Sequence, residues 1–134
     1  MAEHVLLLTG PPGIGKTAAI RRVAEGLAGR RLGGFYTDEI RVQGQRQGFR
    51  LLTFDGRETV IAHIRHPKTY RVGKYGVDVS AIDAIVEGAL GLDEQIDLYL
   101  IDEIGKMECL SRRFVSAMGK VLQVDKPVVA TIAL

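Results

Sequence analysis

One run near the N-terminus constrains this chain more than any other. Gly10-Pro11-Pro12-Gly13-Ile14-Gly15-Lys16-Thr17 fits the spacing G-x-x-x-x-G-K-[ST] at every fixed position. Glycines at Gly10 and Gly15 permit positive φ and let bare backbone approach an anion closely. Successive N–H groups then turn inward as a concave anion nest, and a helix opening near Lys16 adds the positive end of its dipole. Lys16 can reach the outer phosphates of a nucleotide, and the Thr17 hydroxyl can bind Mg²⁺. The pattern carries this meaning only with a strand before it and a helix after it. Val5–Thr9 is a continuous apolar run, as in a strand buried on both faces. Ile20, Val23, Ala24 and Leu27 then recur at i, i+3, i+4 and i+7, one face of a helix that Gly29 stops.

The middle of the chain reads differently. Residues 34–42 and 48–54 have strand composition, with the polar turn Gln43-Gly44-Gln45-Arg46-Gln47 between them, so a hairpin is expected. Thr59–Ile64 reads as a third strand, and Arg65–Gly76, which holds Pro67, Gly73 and Gly76, as a loop. Ser80 reads as an N-cap ahead of Ile82, Ile85, Val86, Ala89 and Leu90 at helical spacing. Leu98–Ile101 is a short buried strand that ends in Asp102-Glu103. Ser111 caps a further amphipathic helix carrying Phe114, Val115, Met118 and Leu122. Strands alternating with helices imply an α/β fold with a mainly parallel sheet flanked by helices, and an antiparallel hairpin insertion around residues 34–54. A length of 134 residues fits one domain over 1–134, against the ~100–150 that single cores favour.

Composition narrows the partners. With 18 basic against 16 acidic residues, net +2, the chain is not an obligate polyanion binder. No Trp, 4 Tyr and 4 Phe argue against an aromatic platform for bases, so nucleic acid is not an expected partner. The single cysteine, Cys109, excludes an internal disulfide framework and a multi-Cys zinc site. No segment approaches the ~20 apolar residues that span a membrane, and a cytoplasmic location is expected, with a monomer favoured. The strand-like run 127–134 has no closing loop or helix, so either further C-terminal residues or a partner are expected to complete the domain.

The acidic strand end supplies the second half of the chemistry. A carboxylate at the end of a buried strand can hold Mg²⁺, which suits Asp102, while Glu103 can take a proton from an attacking water. Lys106 either neutralises charge on the transferring phosphoryl group or is a solvated loop lysine. Glu108 is a weaker candidate. The expected catalytic residues are therefore Glu103, Lys16 and Lys106, and the expected metal ligands Thr17 and Asp102. Nucleotide contacts are expected along Gly10–Thr17 and along Tyr99, Leu100, Ile101, Asp102, Glu103, Ile104, Gly105 and Lys106.

Four segments carry a resemblance to a known family: GPPGIGKT at 10–17, GGFYTDEIR at 33–41 with Arg46-Gln47-Gly48-Phe49, VGKYGV at 72–77, and LYLIDEIGKME at 98–108. Together they resemble the small nucleoside-triphosphatases first described from thermophilic microbes, which are related to the vertebrate cancer-related nucleoside-triphosphatase. The resemblance implies a P-loop fold of RecA-like type, with the last strand between the phosphate-loop strand and the Asp102 strand. It also implies Mg²⁺-dependent hydrolysis of ATP, GTP and other nucleoside triphosphates (CTP, UTP, TTP) to diphosphate and phosphate. Relatives of this kind run a few tens of residues longer at the C-terminus. Two other readings stay open on the residues alone, a small-molecule or nucleotide kinase and a non-catalytic nucleotide-dependent switch.

Other features have plainer readings. Tyr36, Asp38, Glu39 and Arg41 are expected on a solvated hairpin face, and Gly73-Lys74-Tyr75-Gly76 on a surface loop. His63 and His66 lack the geometry of a shared metal site. Cys109 is expected as a small buried hydrophobe. Arg112 and Arg113 are expected on a solvated helix start, and with no clear arginine finger turnover is expected to be slow.

Overall fold

The computed structural model describes residues 4–11 and 14–133. Val5–Thr9 forms β1 and Lys16–Gly26 forms α1, joined by the glycine-rich loop. β2 (Leu32–Val42) and β3 (Gln45–Thr53) follow, then β4 (Glu58–His63), β5 (Arg71–Val72) and β6 (Tyr75–Val77). α2 (Val79–Ala89), β7 (Leu98–Ile104), a 3₁₀ turn at Glu108–Leu110, α3 (Arg112–Val121) and β8 (Val128–Ile132) complete the described chain.

All eight strands share one sheet in the order β1-β8-β7-β2-β3-β4-β6-β5. The pairs β1·β8, β8·β7 and β7·β2 are parallel. β8 therefore lies between the strand that opens the phosphate loop and the strand that carries Asp102, as the resemblance implied. Beyond β2 every pairing is antiparallel. The expected hairpin is thus the first part of a longer antiparallel extension.

Local chemistry sets the details. The β2–β3 turn is only Gln43-Gly44, with φ 51° and 78° and Val42 opposite Gln45. Two positive φ values match the twist of a tight hairpin, so most of the polar run 43–47 pairs as strand. The stretch expected as loop before Val77 contains the β5–β6 ribbon. Gly73 at φ 59° opens its two-residue turn, and the buried Tyr75 ring packs edge-on against Phe49 at 5.2 Å. The α2 cap is Asp78, not Ser80: its carboxylate accepts from the Ala81 N–H at 3.0 Å, and Ser80 already lies in the first turn. Ser111 caps α3 as expected, accepting from the Phe114 N–H at 3.0 Å while its hydroxyl donates to Asp83 of α2 at 2.5 Å.

Helices cover both faces of the sheet. The main cluster joins Phe35, Leu51, Ile61, Tyr99 and Ile101 of the strands to Ile82 and Val86 of α2 and Phe114 and Val121 of α3. Leu100, between Tyr99 and Ile101, points to the opposite face by strand alternation, where α1 contacts β7, β8 and β2. Gly34 makes the β2–β7 approach possible. Its φ is 99°, and a Cβ there would lie 1.9 Å from the Leu100 carbonyl oxygen. Among the described residues no helix is long and apolar enough to cross a membrane.

Candidate functional site

The C-terminal ends of β1 and β7 flank the end of β8, and the site is built there. Gly15 adopts φ 102° and ψ 19° just before α1, a left-handed bend open to glycine, and places Lys16 and Thr17 in the first helical turn. Lys16 is only 12% exposed and its ammonium is held from three sides. Nζ donates to the Gly10 carbonyl at 2.7 Å and, at 3.5 Å, to the Ile132 carbonyl at the end of β8. It also lies 3.9 Å from Glu103 Oε2. Lys16 thus ties the loop to the acid strand. Pro12 and Gly13 lie outside the described residues, and Ile14 is exposed at the loop surface.

Asp102 is 2% exposed. Its Oδ1 accepts from the Thr131 hydroxyl at 2.6 Å, while its Oδ2 is buried with no hydrogen-bond partner among the described residues. A buried carboxylate oxygen left unpaired is costly unless a donor or cation meets it. Glu103 follows across a cis peptide bond and is half-buried. Burial pushes its carboxyl above the ordinary range, the Lys16 ammonium opposes that shift, and the neighbouring Asp102 charge adds to it. Two carboxylates in unlike settings therefore sit side by side, one locked and buried, one facing outward next to an ammonium.

Glu108 belongs to the same cluster. It is 4% exposed, accepts from the Gly105 N–H at 3.0 Å, and burial pushes its carboxyl up to about 7. A Cβ on Gly105 would meet Glu108 Oε1 at 2.9 Å and Glu103 Oε1 at 3.2 Å, so both acids crowd that glycine. A cavity of about 590 Å³ opens on this side, walled by Phe49, Val72 and Met107 and bordered by Glu103 and Glu108.

Several expected residues are placed elsewhere. Tyr99, Leu100 and Ile101 are corrected from nucleotide contacts to core. Their side chains are at most 1% exposed, β8 and β2 pair both edges of their strand, and the Tyr99 hydroxyl is engaged by the Gly91 carbonyl at 2.9 Å. Cys109, expected buried, is exposed because the 3₁₀ turn directs Glu108 inward instead. Lys106 is exposed on the turn beyond β7, where Gly105 is buried and Ile104 lines the cavity. Arg113 pairs with Glu87 at 3.1 Å. Asp38 and Glu39 join exposed ion pairs with Arg21, Arg41 and Arg46. No cluster of three metal-ligating side chains occurs among the described residues. The residue that sequence reasoning missed is Thr131. Its signal was a hydroxyl inside an otherwise apolar strand.

A glycine-rich loop between a parallel strand and a helix, with an acid-bearing strand two places across the sheet beyond β8, defines a P-loop NTPase fold. Residues 5–134 match the family described as NTPase, and the chain belongs to that family. The nucleoside-triphosphatase THEP1 of Thermotoga sp. (strain RQ2) is 45% identical over 130 residues, covering 95% of this chain and 72% of that protein. The crystal structure of THEP1 from the hyperthermophile Aquifex aeolicus superposes with a TM-score of 0.85 at 32% identity, over 97% of this chain and 77% of that one. The solution structure of a human cancer-related nucleoside triphosphatase gives 0.80 at 34% identity, over 99% and 77%.

Proposed function

We propose that this chain hydrolyses nucleoside triphosphates to diphosphate and phosphate, with residues 1–134 acting as one nucleotide-binding unit. The observation that carries the reading is the contact of Lys16 with Glu103 beside the buried, half-satisfied Asp102. The name of the Thermotoga relative supports the same activity. In this reading the loop amides and Lys16 hold the β- and γ-phosphates. Glu103 orients a water in line with the γ-phosphorus and takes its proton as the oxygen–phosphorus bond forms and the diphosphate leaves. Lys106 is the second cation assigned to the transferring group.

Thr17 and Asp102 would hold Mg²⁺. The hard oxygen donors and the unpaired Asp102 Oδ2 suit that ion. When bound it would offset charge on the β/γ-phosphate oxygens. Near-balanced charge supports nucleotides, not nucleic acid, as partners in the cytoplasm. With no arginine assigned to the transition state, turnover is expected on the order of 10⁻² s⁻¹ or less, with broad tolerance of the base. The test is phosphate release from ATP, GTP, CTP and UTP with Mg²⁺ and with chelator. Release from all four that stops on chelation is expected; nucleotide binding with no release would overturn the reading.

A further inference from the structure

We propose that the cavity beside Glu103 takes a neutral, nucleoside-sized alcohol as an alternative phosphoryl acceptor to water. The inference rests on the hydrolytic reading above and extends it. At about 590 Å³ the cavity falls within the range of small-molecule sites. It shares a wall with the phosphate site. Glu103 lines it and lies 3.9 Å from Lys16, and Ile132, which also lines it, accepts from the same ammonium.

The lining selects the ligand class. Phe49, Val72 and Met107 offer an apolar surface, with the Phe49 ring already fixed against Tyr75. A flat base fits that wall. The polar residues that line it are Glu103 and Glu108, whose carboxyls can accept, with Thr37 and Lys106. Sugar hydroxyls supply the donors these carboxyls need. Among the described residues that line the cavity Lys106 is the single cation, set against the Glu103 and Glu108 carboxyls, and no arginine offers a two-pronged clamp for a phosphate, so the lining favours a neutral nucleoside over a nucleotide. In the transfer step the bond from γ-phosphorus to the β–γ bridging oxygen breaks and its electron pair leaves with the diphosphate. The alcohol oxygen bonds to phosphorus, and its proton goes to the Glu103 carboxylate.

The experiment incubates the protein with Mg²⁺ and γ-labelled ATP, with and without adenosine, guanosine, cytidine or uridine, and separates labelled phosphate from labelled nucleoside phosphate. The expected result is nucleoside phosphate appearing as free phosphate falls. Phe49→Ala should lower the transferred fraction about fivefold through loss of the aromatic wall. Cys109→Trp, at an exposed position on the cavity wall, should narrow the space and lower the same fraction without a demand on the core. Phosphate release untouched by every nucleoside, with no labelled nucleoside phosphate, overturns the acceptor site and leaves hydrolysis standing. Labelled nucleoside phosphate without release in nucleoside-free buffer supports the acceptor site and overturns hydrolysis. No labelled product of either kind overturns both.

Discussion

Around the end of β7, Glu103 lies beside Lys16, Asp102 is held by Thr131 and Glu108 by the Gly105 N–H, and these separate environments give the three acids separate predicted behaviour. Glu103→Gln keeps the shape but cannot accept a proton, so release of phosphate should drop by about 10²–10⁴ while nucleotide affinity stays, read by turnover beside a binding titration. Thr131→Val leaves both oxygens of the buried Asp102 unpartnered and should destabilise the fold by about 1–3 kcal/mol, seen as a lower Tm. Glu108 predicts a pH dependence. Its folded value near 7 lies above the ordinary 4.5, so the folded state keeps a proton that the unfolded state releases. Stability should therefore be highest at the acid side of this window and fall as pH rises from about 4.5 to about 7, by on the order of 3 kcal/mol. Burial shifts Glu103 in the same direction. Melting curves at pH 5 and pH 8 test this, and Glu108→Gln should remove most of the slope while its amide oxygen still accepts from Gly105.

Elements differ in how far their neighbours in sequence determine them. β1, the glycine-rich loop and α1 were legible as elements because each depends on residues within one or two turns of chain. Their details differ: β1 is not buried on both faces, since Leu6 and Leu7 are exposed on a strand with one described neighbour, and of Gly10 and Gly15 only Gly15 takes a positive φ. The order of the parallel strands followed from resemblance, since no local pattern says which strand enters between two others. The β5–β6 ribbon was missed because Gly73 and Gly76 read as punctuation, while what orders the ribbon is Tyr75 packing on Phe49, a residue far off in sequence. Tyr99, Leu100 and Ile101 were misassigned because adjacency to Asp102 in sequence is not adjacency in a strand whose middle is sealed on both edges. Asp78 was passed over for Ser80, since both residues precede the apolar stripe and only the backbone decides which one caps it. Asp78→Ala should accordingly cost about 1 kcal/mol by loss of the α2 cap, measurable by denaturant titration. Gly34→Ala should cost several kcal/mol, because it meets both a forbidden φ and the Leu100 carbonyl.

At the scale of the whole molecule the sheet divides into a parallel part that carries the glycine-rich loop and most of the cavity lining, and an antiparallel part that contributes Phe49 and Val72 to the same cavity. Among the described residues β1 has a single strand neighbour, β8, which in turn pairs with β7. Ala130, fully buried at the middle of β8, is the hinge pin of that join. Ala130→Pro removes a ladder donor there and should cost ~3 kcal/mol or more, with loss of nucleotide binding tracking loss of cooperative melting. β8 is also the last of the described strands to leave the ribosome, and it must enter between two strands that precede it by long stretches of chain. Until it does, a nascent chain displays Gly10–Thr17 with no acid strand beside it and no Ile132 carbonyl to hold Lys16. The strand order thus makes the pairing of the glycine-rich loop with the acid strand a late event in assembly, gained when β8 joins the sheet.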